Sequence, residues 1–324
     1  MEMLFPLLLI MLFASTKQFT GVKEKDAPHW MSFLPDDKKL IFINIPGAHD
    51  TAANLMHPLG ESMARTQNKT IPELLRLGVR KVDIRVAPRE VLDGDEEDSD
   101  LSTYHGMFEC YYVDENNVTK NLTFKHIILD IKNFLEEYPT ETVIIWTQSE
   151  KGDDSDNLNR AIELFDKYVG DIFVKYNKDL TLGEVRGKIV STVYKTGESS
   201  YHYGLDGVTD LTEIHRKFID DYYNTWEVTG ELKTEEVLEF FRTYNITLEE
   251  AENDYQTDNA KYPFCYSVAC TGEHQSILPF PKKQAEVVNP FILNYEFKRF
   301  NYYGWIEMDY VNFKLCKKFI DSNL

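Results

Sequence analysis

The chain has little of what marks a nucleic-acid-binding or zinc-binding protein. Its 54 Asp and Glu residues outnumber its 35 Lys and Arg residues, which gives a formal net charge of −19. This sign excludes nucleic acid as an expected partner and argues against docking on anionic membranes through a basic patch. No spacing among the eight His and four Cys residues is typical of a zinc site. We expect neither a metal nor another cofactor.

Long hydrophobic runs are also missing. The apolar stretch at 4–13 is too short to span a bilayer but has the length of a signal-peptide core. We therefore predict a signal peptide at 1–16 and a secreted protein, the alternative being a buried N-terminal helix. Four glycosylation sequons agree with secretion, and they begin at Asn68, Asn117, Asn121 and Asn245. In that compartment Cys110, Cys265, Cys270 and Cys316 could form two disulfides in any of three pairings.

The sequence has no internal repeat and no linker rich in Pro, Gly or Ser. A chain of 324 residues with 43% hydrophobic content can build one large core, so we expect a single domain over 17–324. The acidic run at 93–100 is most simply a solvated loop, with a calcium site as the minor alternative.

Short β-branched runs alternate with amphipathic helical patterns, which is typical of β-α units around a parallel sheet. The predicted strands are 40–45, 79–86, 142–147, 188–194, 264–269 and 304–309, with two more near 102–106 and within 208–214. The predicted helices are 70–77, 123–138, 157–168, 234–243 and 290–300. The pattern predicts an α/β fold, a single distorted (β/α)8 TIM-type barrel with its site at the C-terminal ends of the strands.

Residues suited to proton transfer and anion binding fall at these strand ends. His49 and Asp50 follow the first strand, Arg85 lies in the second, His105 precedes a glycine, and Asp309 ends the last strand. Cleavage of a phosphodiester by an internal hydroxyl needs a base, an acid and a fixed cation for the phosphorane charge. Two histidines and an arginine meet these needs.

The same segments resemble the X domain of phosphatidylinositol-specific phospholipases C, in the metal-independent branch found in bacterial enzymes. The similarity rests on IPGAHDTA, ARTQNKTIPELLRLGVRKVDIRV, YHG, ETVIIW, RGKIV, IDDYYNTW and GWIEMDYV, and it runs from about residue 40 to 312. It implies a secreted phosphodiesterase that converts phosphatidylinositol, or its glycosylated form, to diacylglycerol and cyclic inositol phosphate. The partner would be phospholipid at a membrane surface, contacted transiently, and no stable protein partner is expected.

The resemblance also implies a role for each residue. His49 would be the general base, His105 the general acid and Arg85 the phosphate ligand in place of calcium. Asp309 would orient His49, and Asp50 would assist the acid.

The headgroup contacts follow the family less closely. Asp221 and Tyr223 match residues that contact inositol, while Gln148 and Tyr194 stand where the family usually has a Lys and an Arg. The alternatives to the main hypothesis are therefore the same chemistry on another headgroup, or an inactive module that binds lipid or glycan.

Overall fold

The structure is a computed structural model that describes residues 21–89, 101–196, 199–202, 237–238, 241–242, 245–256, 265–267 and 280–324. Its strands are β1 Ile45–Ala48, β2 Lys81–Pro88, β3 Leu101–His105, β4 Phe108–Glu109, β5 Tyr111–Val113, β6 Thr119–Asn121, β7 Val143–Ser149, β8 Phe173–Lys175, β9 Ile189–Ser191, β10 Val193–Thr196, β11 Ser199–His202, β12 Cys265–Ser267 and β13 Trp305–Met308. Its α-helices are α1 Pro58–Met63, α2 Ile71–Arg76, α3 Phe124–Glu137, α4 Asp154–Val169, α5 Leu182–Val185, α6 Leu248–Gln256, α7 Pro281–Asn294 and α8 Phe313–Ser322. Two 3₁₀ helices, Glu24–Phe33 and Leu40–Phe42, precede β1.

The central sheet is a run of parallel strands in the order β12, β13, β1, β2, β7, β9, β8. The short strands β3 and β4 extend β2 as an antiparallel hairpin at its C-terminal end. Strand, helix and parallel strand alternate along the chain, as in an α/β barrel. Among the described strands the path is open, because β12 and β8 are not paired with each other.

Apolar faces place the helices on this sheet. In α3 the buried residues recur at helical spacing: Phe124, Ile127, Ile128, Ile131, Phe134 and Leu135. The capping box that the sequence predicts at Thr70 and Glu73 is present at the start of α2. Parallel strands covered in this way bring their C-terminal ends to one face of the molecule.

Close packing of three strands depends on Gly47. A Cβ at this position would lie 3.2 Å from the carbonyl oxygen of Ile306 and 3.3 Å from Cβ of Lys81. Those residues belong to β13 and β2, the two neighbours of β1. The absence of a side chain therefore lets β1 carry the residues that follow it to the centre of the sheet.

Several predicted boundaries are wrong. Residues 40–45 are mainly a buried 3₁₀ turn, and the strand begins only at Ile45, because a short apolar run does not distinguish a strand from a buried turn. The predicted strand 188–194 divides into β9 and β10, and β10 pairs antiparallel with β11. The predicted helix 290–300 is also wrong, since Pro281 begins the helix and Pro290 lies inside it. Proline is common in the first turn of a helix, so either proline could mark the start of this helix in the sequence.

The expected pair of disulfides is not found. Cys110 and Cys316 are free thiols, fully buried in the core. Each of the three possible pairings would have placed both of these cysteines in disulfides. They pack as small apolar side chains, and burial raises the pKa of the Cys316 thiol to about 12.

Other predictions are only partly covered. Of the helix expected at 234–243, residues 237–238 and 241–242 are described, and they are helical. The signal peptide at 1–16, the acidic run at 93–100 and the strand within 208–214 lie outside the described residues. Within the part that is described, no helix has both the length and the apolar character needed to cross a bilayer.

Candidate active site

Five predicted site residues meet at the C-terminal face of the sheet. His49 and Asp50 follow β1, Arg85 lies in β2, His105 ends β3, and Asp309 follows β13. Because these strands are neighbours, their ends bring the five side chains within contact of one another. Asp221 and Tyr223 lie outside the described residues, as does the side chain of Tyr194 on β10.

His49 is held at both ring nitrogens. Its Nδ1 lies 2.8 Å from Oδ1 of Asp309, so that nitrogen carries a proton and donates it to the carboxylate. Its Nε2 lies 2.9 Å from Nη2 of Arg85, which can only donate. Burial lowers the pKa of His49, but the charge and hydrogen bond of Asp309 outweigh this and raise the pKa to about 9. The ring is therefore strongly basic, and Nη2 of Arg85 competes with a proton for the lone pair on Nε2.

Buried amides fix the backbone around His49. The side chain of Gln67 donates to the carbonyl oxygens of His49 and Met308, each at 2.9 Å. The side chain of Asn289 in α7 donates to the carbonyl oxygen of Asp309 at 3.0 Å. These bonds hold the His49–Asp309 pair from the backbone side, and Gln67 comes from one of the segments that carry the sequence resemblance.

Arg85 lies among three carboxylates. Its Nη2 is 3.4 Å from Asp83, its Nε is 3.5 Å from Asp50, and its Nη1 is 3.8 Å from Glu150. Burial favours the neutral form of Asp83, yet the charges of Arg85, His49 and Lys81 together lower the pKa of this carboxyl group. The guanidinium thus occupies the position in which a bound cation would neutralise the same acids.

His105 faces the other side of the site. Its Nδ1 lies 2.6 Å from the carbonyl oxygen of Ala64, which can only accept, so Nδ1 is protonated and Nε2 is left to exchange a proton. Burial and then the charges of Arg85 and His49 lower the pKa of His105 to about 4. Its ring centroid lies 6.2 Å from that of His49, and the two rings are nearly perpendicular. A reacting group can therefore lie between the two imidazoles.

Asp50 contacts both His105 and Arg85. Its Oδ2 lies 3.3 Å from Nδ1 of His105 and 3.5 Å from Nε of Arg85, and the side chain is fully buried. Burial raises the pKa of Asp50 to about 7, with Arg85 opposing the shift. Its backbone has a φ of 37°, in the left-handed region that Asp and Asn tolerate better than other side chains.

Two further residues, at the end of β7, contact the site. Gln148 pairs in register with Arg85 and donates from Nε2 to Oδ1 of Asp83 at 3.2 Å. Glu150 contacts Arg85 and was missed by the sequence analysis. A signal for it exists, because residues two apart on an extended segment share a face and Gln148 was already a candidate.

Part of the chain matches a known protein family. Residues 47–193 match the family described as phosphatidylinositol-specific phospholipase C, X domain. That range holds His49, Asp50, Arg85 and His105, while Asp309 lies beyond it.

Two bacterial relatives share sequence with the chain. A 1-phosphatidylinositol phosphodiesterase of Staphylococcus aureus is 27% identical over 332 residues, covering 92% of this chain and 95% of the relative. An enzyme of the same name from Listeria monocytogenes is 29% identical over 170 residues, covering 50% of this chain and 47% of the relative.

Solved structures show a shared fold. The phosphatidylinositol-specific phospholipase C of Listeria monocytogenes superposes with a TM-score of 0.62 at 21% identity, covering 92% of this chain and 99% of that one. A pentafluoro-Phe form of the Staphylococcus aureus enzyme gives 0.65 at 22% identity, covering 94% and 100%. These neighbours confirm the predicted class, a TIM-type α/β barrel. Residues 47–193 thus match the X domain of phosphatidylinositol-specific phospholipases C, and the chain is similar to bacterial enzymes of that kind along nearly its whole length.

Proposed function

We propose that the protein is a phosphodiesterase that cleaves phosphatidylinositol, or a glycosylated form of it, to diacylglycerol and a cyclic inositol phosphate. The observation that carries the proposal is the placement of Arg85 between a histidine paired with Asp309 and a second histidine contacting Asp50. The arrangement offers a base, an anion ligand and an acid in that order. The bacterial relatives named for this activity support the substrate class.

In the proposed reaction, His49 takes the proton of an inositol hydroxyl through Nε2. The freed oxygen attacks phosphorus, and Arg85 stabilises the negative charge on the non-bridging oxygens of the phosphorane. His105 gives the proton on Nε2 to the departing alkoxide of diacylglycerol as the bond from phosphorus to that oxygen breaks. Asp309 favours the imidazolium of His49, and Asp50 favours that of His105.

In the structure, neither histidine is in the state that the proposed reaction requires. Arg85 covers the lone pair of His49, and His105 has a pKa of about 4 and is neutral near pH 7. A bound phosphate diester would draw Arg85 toward its oxygens, which uncovers Nε2 of His49. The same negative charge would raise the pKa of His105 and favour the protonated form that an acid requires.

The first test is phosphodiesterase activity on phosphatidylinositol vesicles with and without EDTA. We expect equal rates, because Arg85 already places a positive charge among Asp50, Asp83 and Glu150. We expect His49→Ala to lower the rate by about 10² to 10⁴, the range for a general base. His29→Ala, in the 3₁₀ helix Glu24–Phe33 and not among the proposed site residues, is the matched control. Loss of activity in EDTA would contradict the role of Arg85, and an unchanged rate in His49→Ala would favour an inactive binding module.

A different headgroup is the second candidate, and Gln148 favours it. Its amide donates to Asp83, so this position supplies no positive charge to a polyol or phosphate. Loss of one charged hydrogen bond is worth about 1.5–3 kcal/mol. Rates on vesicles with different phospholipid headgroups separate the two candidates, and Gln148→Lys should increase preference for inositol if that pocket is used.

We also propose that residues 1–16 direct secretion and that residues 17–324 form one catalytic barrel. Three of the four sequon asparagines, Asn68, Asn117 and Asn245, are exposed and accessible to a glycosyltransferase, which supports a secretory route. Expression in eukaryotic cells should release a glycoprotein into the medium whose mass falls on treatment with an N-glycosidase. Retention of an unglycosylated chain in the cells would contradict this proposal.

A further inference from the structure

Glu150 touches two separate parts of the site. It follows β7 directly, and its backbone N–H donates to the carbonyl oxygen of Val86 at 2.8 Å, which fixes it against β2. Its Oε1 accepts the backbone N–H of Gly106 at 2.5 Å, and its Oε2 lies 3.8 Å from Nη1 of Arg85. The carboxylate therefore spans the cation of the site and the residue next to His105.

The residues that Glu150 and its neighbour contact form the turn after His105. That turn consists of Gly106 and Met107, because His105 and Phe108 are paired across the hairpin. Gly106 has a φ of 59°, as tight hairpin turns require. Lys151 donates from Nζ to the carbonyl oxygen of Met107 at 3.1 Å. Glu150 and Lys151 thus each hold one peptide group of this two-residue turn.

We propose that Glu150 is a positioning residue that fixes the turn after His105 relative to Arg85, with Lys151 holding the same turn from its other peptide group. The inference rests on the proposed function, in which His105 delivers the proton to the leaving alkoxide. The ring of His105 is held by a hydrogen bond from Nδ1 to the carbonyl oxygen of Ala64, and its backbone leads directly into the turn. Freeing the turn would leave the direction of Nε2 less defined.

The leaving group distinguishes this role from a simple ion pair with Arg85. A diacylglycerol alkoxide needs a proton as it departs, whereas a nitrophenolate leaves without one. A defect that acts through the acid therefore slows the first substrate and spares the second. A defect that acts through Arg85 weakens phosphorane stabilisation and slows both substrates together.

The experiment compares kcat on phosphatidylinositol vesicles with kcat on a nitrophenyl ester of inositol phosphate. We expect Glu150→Ala to lower kcat for the lipid by about 10- to 100-fold and for the nitrophenyl ester by less than about 3-fold. Glu150→Gln keeps an oxygen that can accept from Gly106, so it should recover most of the lipid activity. Glu163→Gln, an exposed change in α4, is the matched control and should alter neither rate.

Lys151→Ala gives an independent test, since Lys151 holds the turn through the carbonyl oxygen of Met107. We expect the same selective loss on the lipid, smaller than that of Glu150→Ala. Thermal unfolding of each variant shows whether it is folded, and if Glu150→Ala is not, the Lys151→Ala ratio decides. Equal losses on both substrates, or no loss in a folded variant, would overturn the inference. A wild-type protein inactive on both substrates would instead overturn the proposed function.

Discussion

At the scale of single residues, the site is governed by competition for one lone pair. Asp309 and Arg85 act on opposite nitrogens of His49, the first favouring a proton on Nε2 and the second occupying that position. In the proposed reaction, His49 would be most basic once phosphate has drawn the guanidinium away. Substrate binding and activation of the proposed base would then be the same event.

Replacing Asp309 with Asn tests the source of this basicity. We expect the pKa of His49 to fall well below about 9, because the variant loses the charge that outweighs burial. NMR titration of the His49 ring measures the pKa directly, and Asp171→Asn, an exposed change, is the control. An unchanged pKa would show that Asp309 is not its cause.

The same pair also affects stability. A histidine whose pKa is about 9 when folded and 6.5 when unfolded stabilises the fold fully below about pH 6.5, and this contribution is lost as pH rises through 9. The decline in the free energy of unfolding between pH 6 and pH 10 should therefore be smaller in Asp309→Asn than in the wild type.

Replacing Asp50 should raise the stability of the protein while lowering its activity. Its pKa of about 7, raised by burial from 3.8, means that ionisation costs stability progressively as pH rises from about 4 to 7. Asn removes that cost and suits a φ of 37°. We expect Asp50→Asn to raise the free energy of unfolding at pH 8 by at least about 1 kcal/mol while lowering kcat. Urea unfolding at pH 8 and pH 4 checks this, and lower stability at pH 8 would contradict it.

At the scale of secondary-structure elements, the site depends on how closely three strands meet. β1 lies between β13 and β2, and the residue that permits this spacing is Gly47. The first of these strands delivers His49, the second Asp309 and the third Arg85. A change in the spacing of these strands would therefore displace all three side chains.

Gly47→Ala tests this spacing. The added methyl group would lie 3.2 Å from the carbonyl oxygen of Ile306, a backbone atom of the neighbouring strand. We expect a loss of about 1–3 kcal/mol in the free energy of unfolding, measured in urea, with a lower kcat. Gly152→Ala is a comparison outside the sheet, although its φ of 88° adds strain of its own. Unchanged stability in Gly47→Ala would show that the strands can separate freely.

Sequence alone predicted which residues meet at the site better than it predicted how they contact one another. Histidine, arginine and carboxylates at strand ends were enough to place His49, Arg85 and Asp309 on one face, because parallel strands end together. The contact between Arg85 and Nε2 of His49 was not predictable, since it depends on rotamers and strand spacing. Glu150 was missed although it lies two residues after the candidate Gln148, and its contact with the backbone N–H of Gly106, in the turn after β3, depends on tertiary structure.

Predicted element boundaries were wrong where the sequence offered two similar starting points. Pro281 and Pro290 both suit the first turn of a helix, and only the tertiary structure shows that the earlier one begins α7. Four cysteines in a chain expected to be secreted likewise suggested disulfides, whereas Cys110 and Cys316 are free thiols buried in the core. In each case long-range contacts decided between local alternatives that were equally acceptable.

At the scale of the whole molecule, net charge should affect the strength of binding to a lipid surface. A net charge of −19 repels anionic bilayers, so contact should be short-lived and sensitive to ionic strength. We expect binding to phosphatidylserine-rich vesicles to be weaker than to phosphatidylcholine vesicles, with the difference shrinking as salt rises. Vesicle sedimentation measures this, and stronger binding to the anionic vesicles would reveal a local basic docking surface.

The central claim is that an inositol hydroxyl attacks phosphorus with His49 as base and without a metal ion. The most direct measurement is ³¹P NMR of phosphatidylinositol turnover in EDTA, comparing the wild type with His49→Ala. The account predicts that the cyclic phosphodiester is the first phosphorus product of the wild type and that its appearance is strongly slowed in the variant. A phosphomonoester formed without a preceding cyclic product, or equal rates in the two proteins, would contradict it.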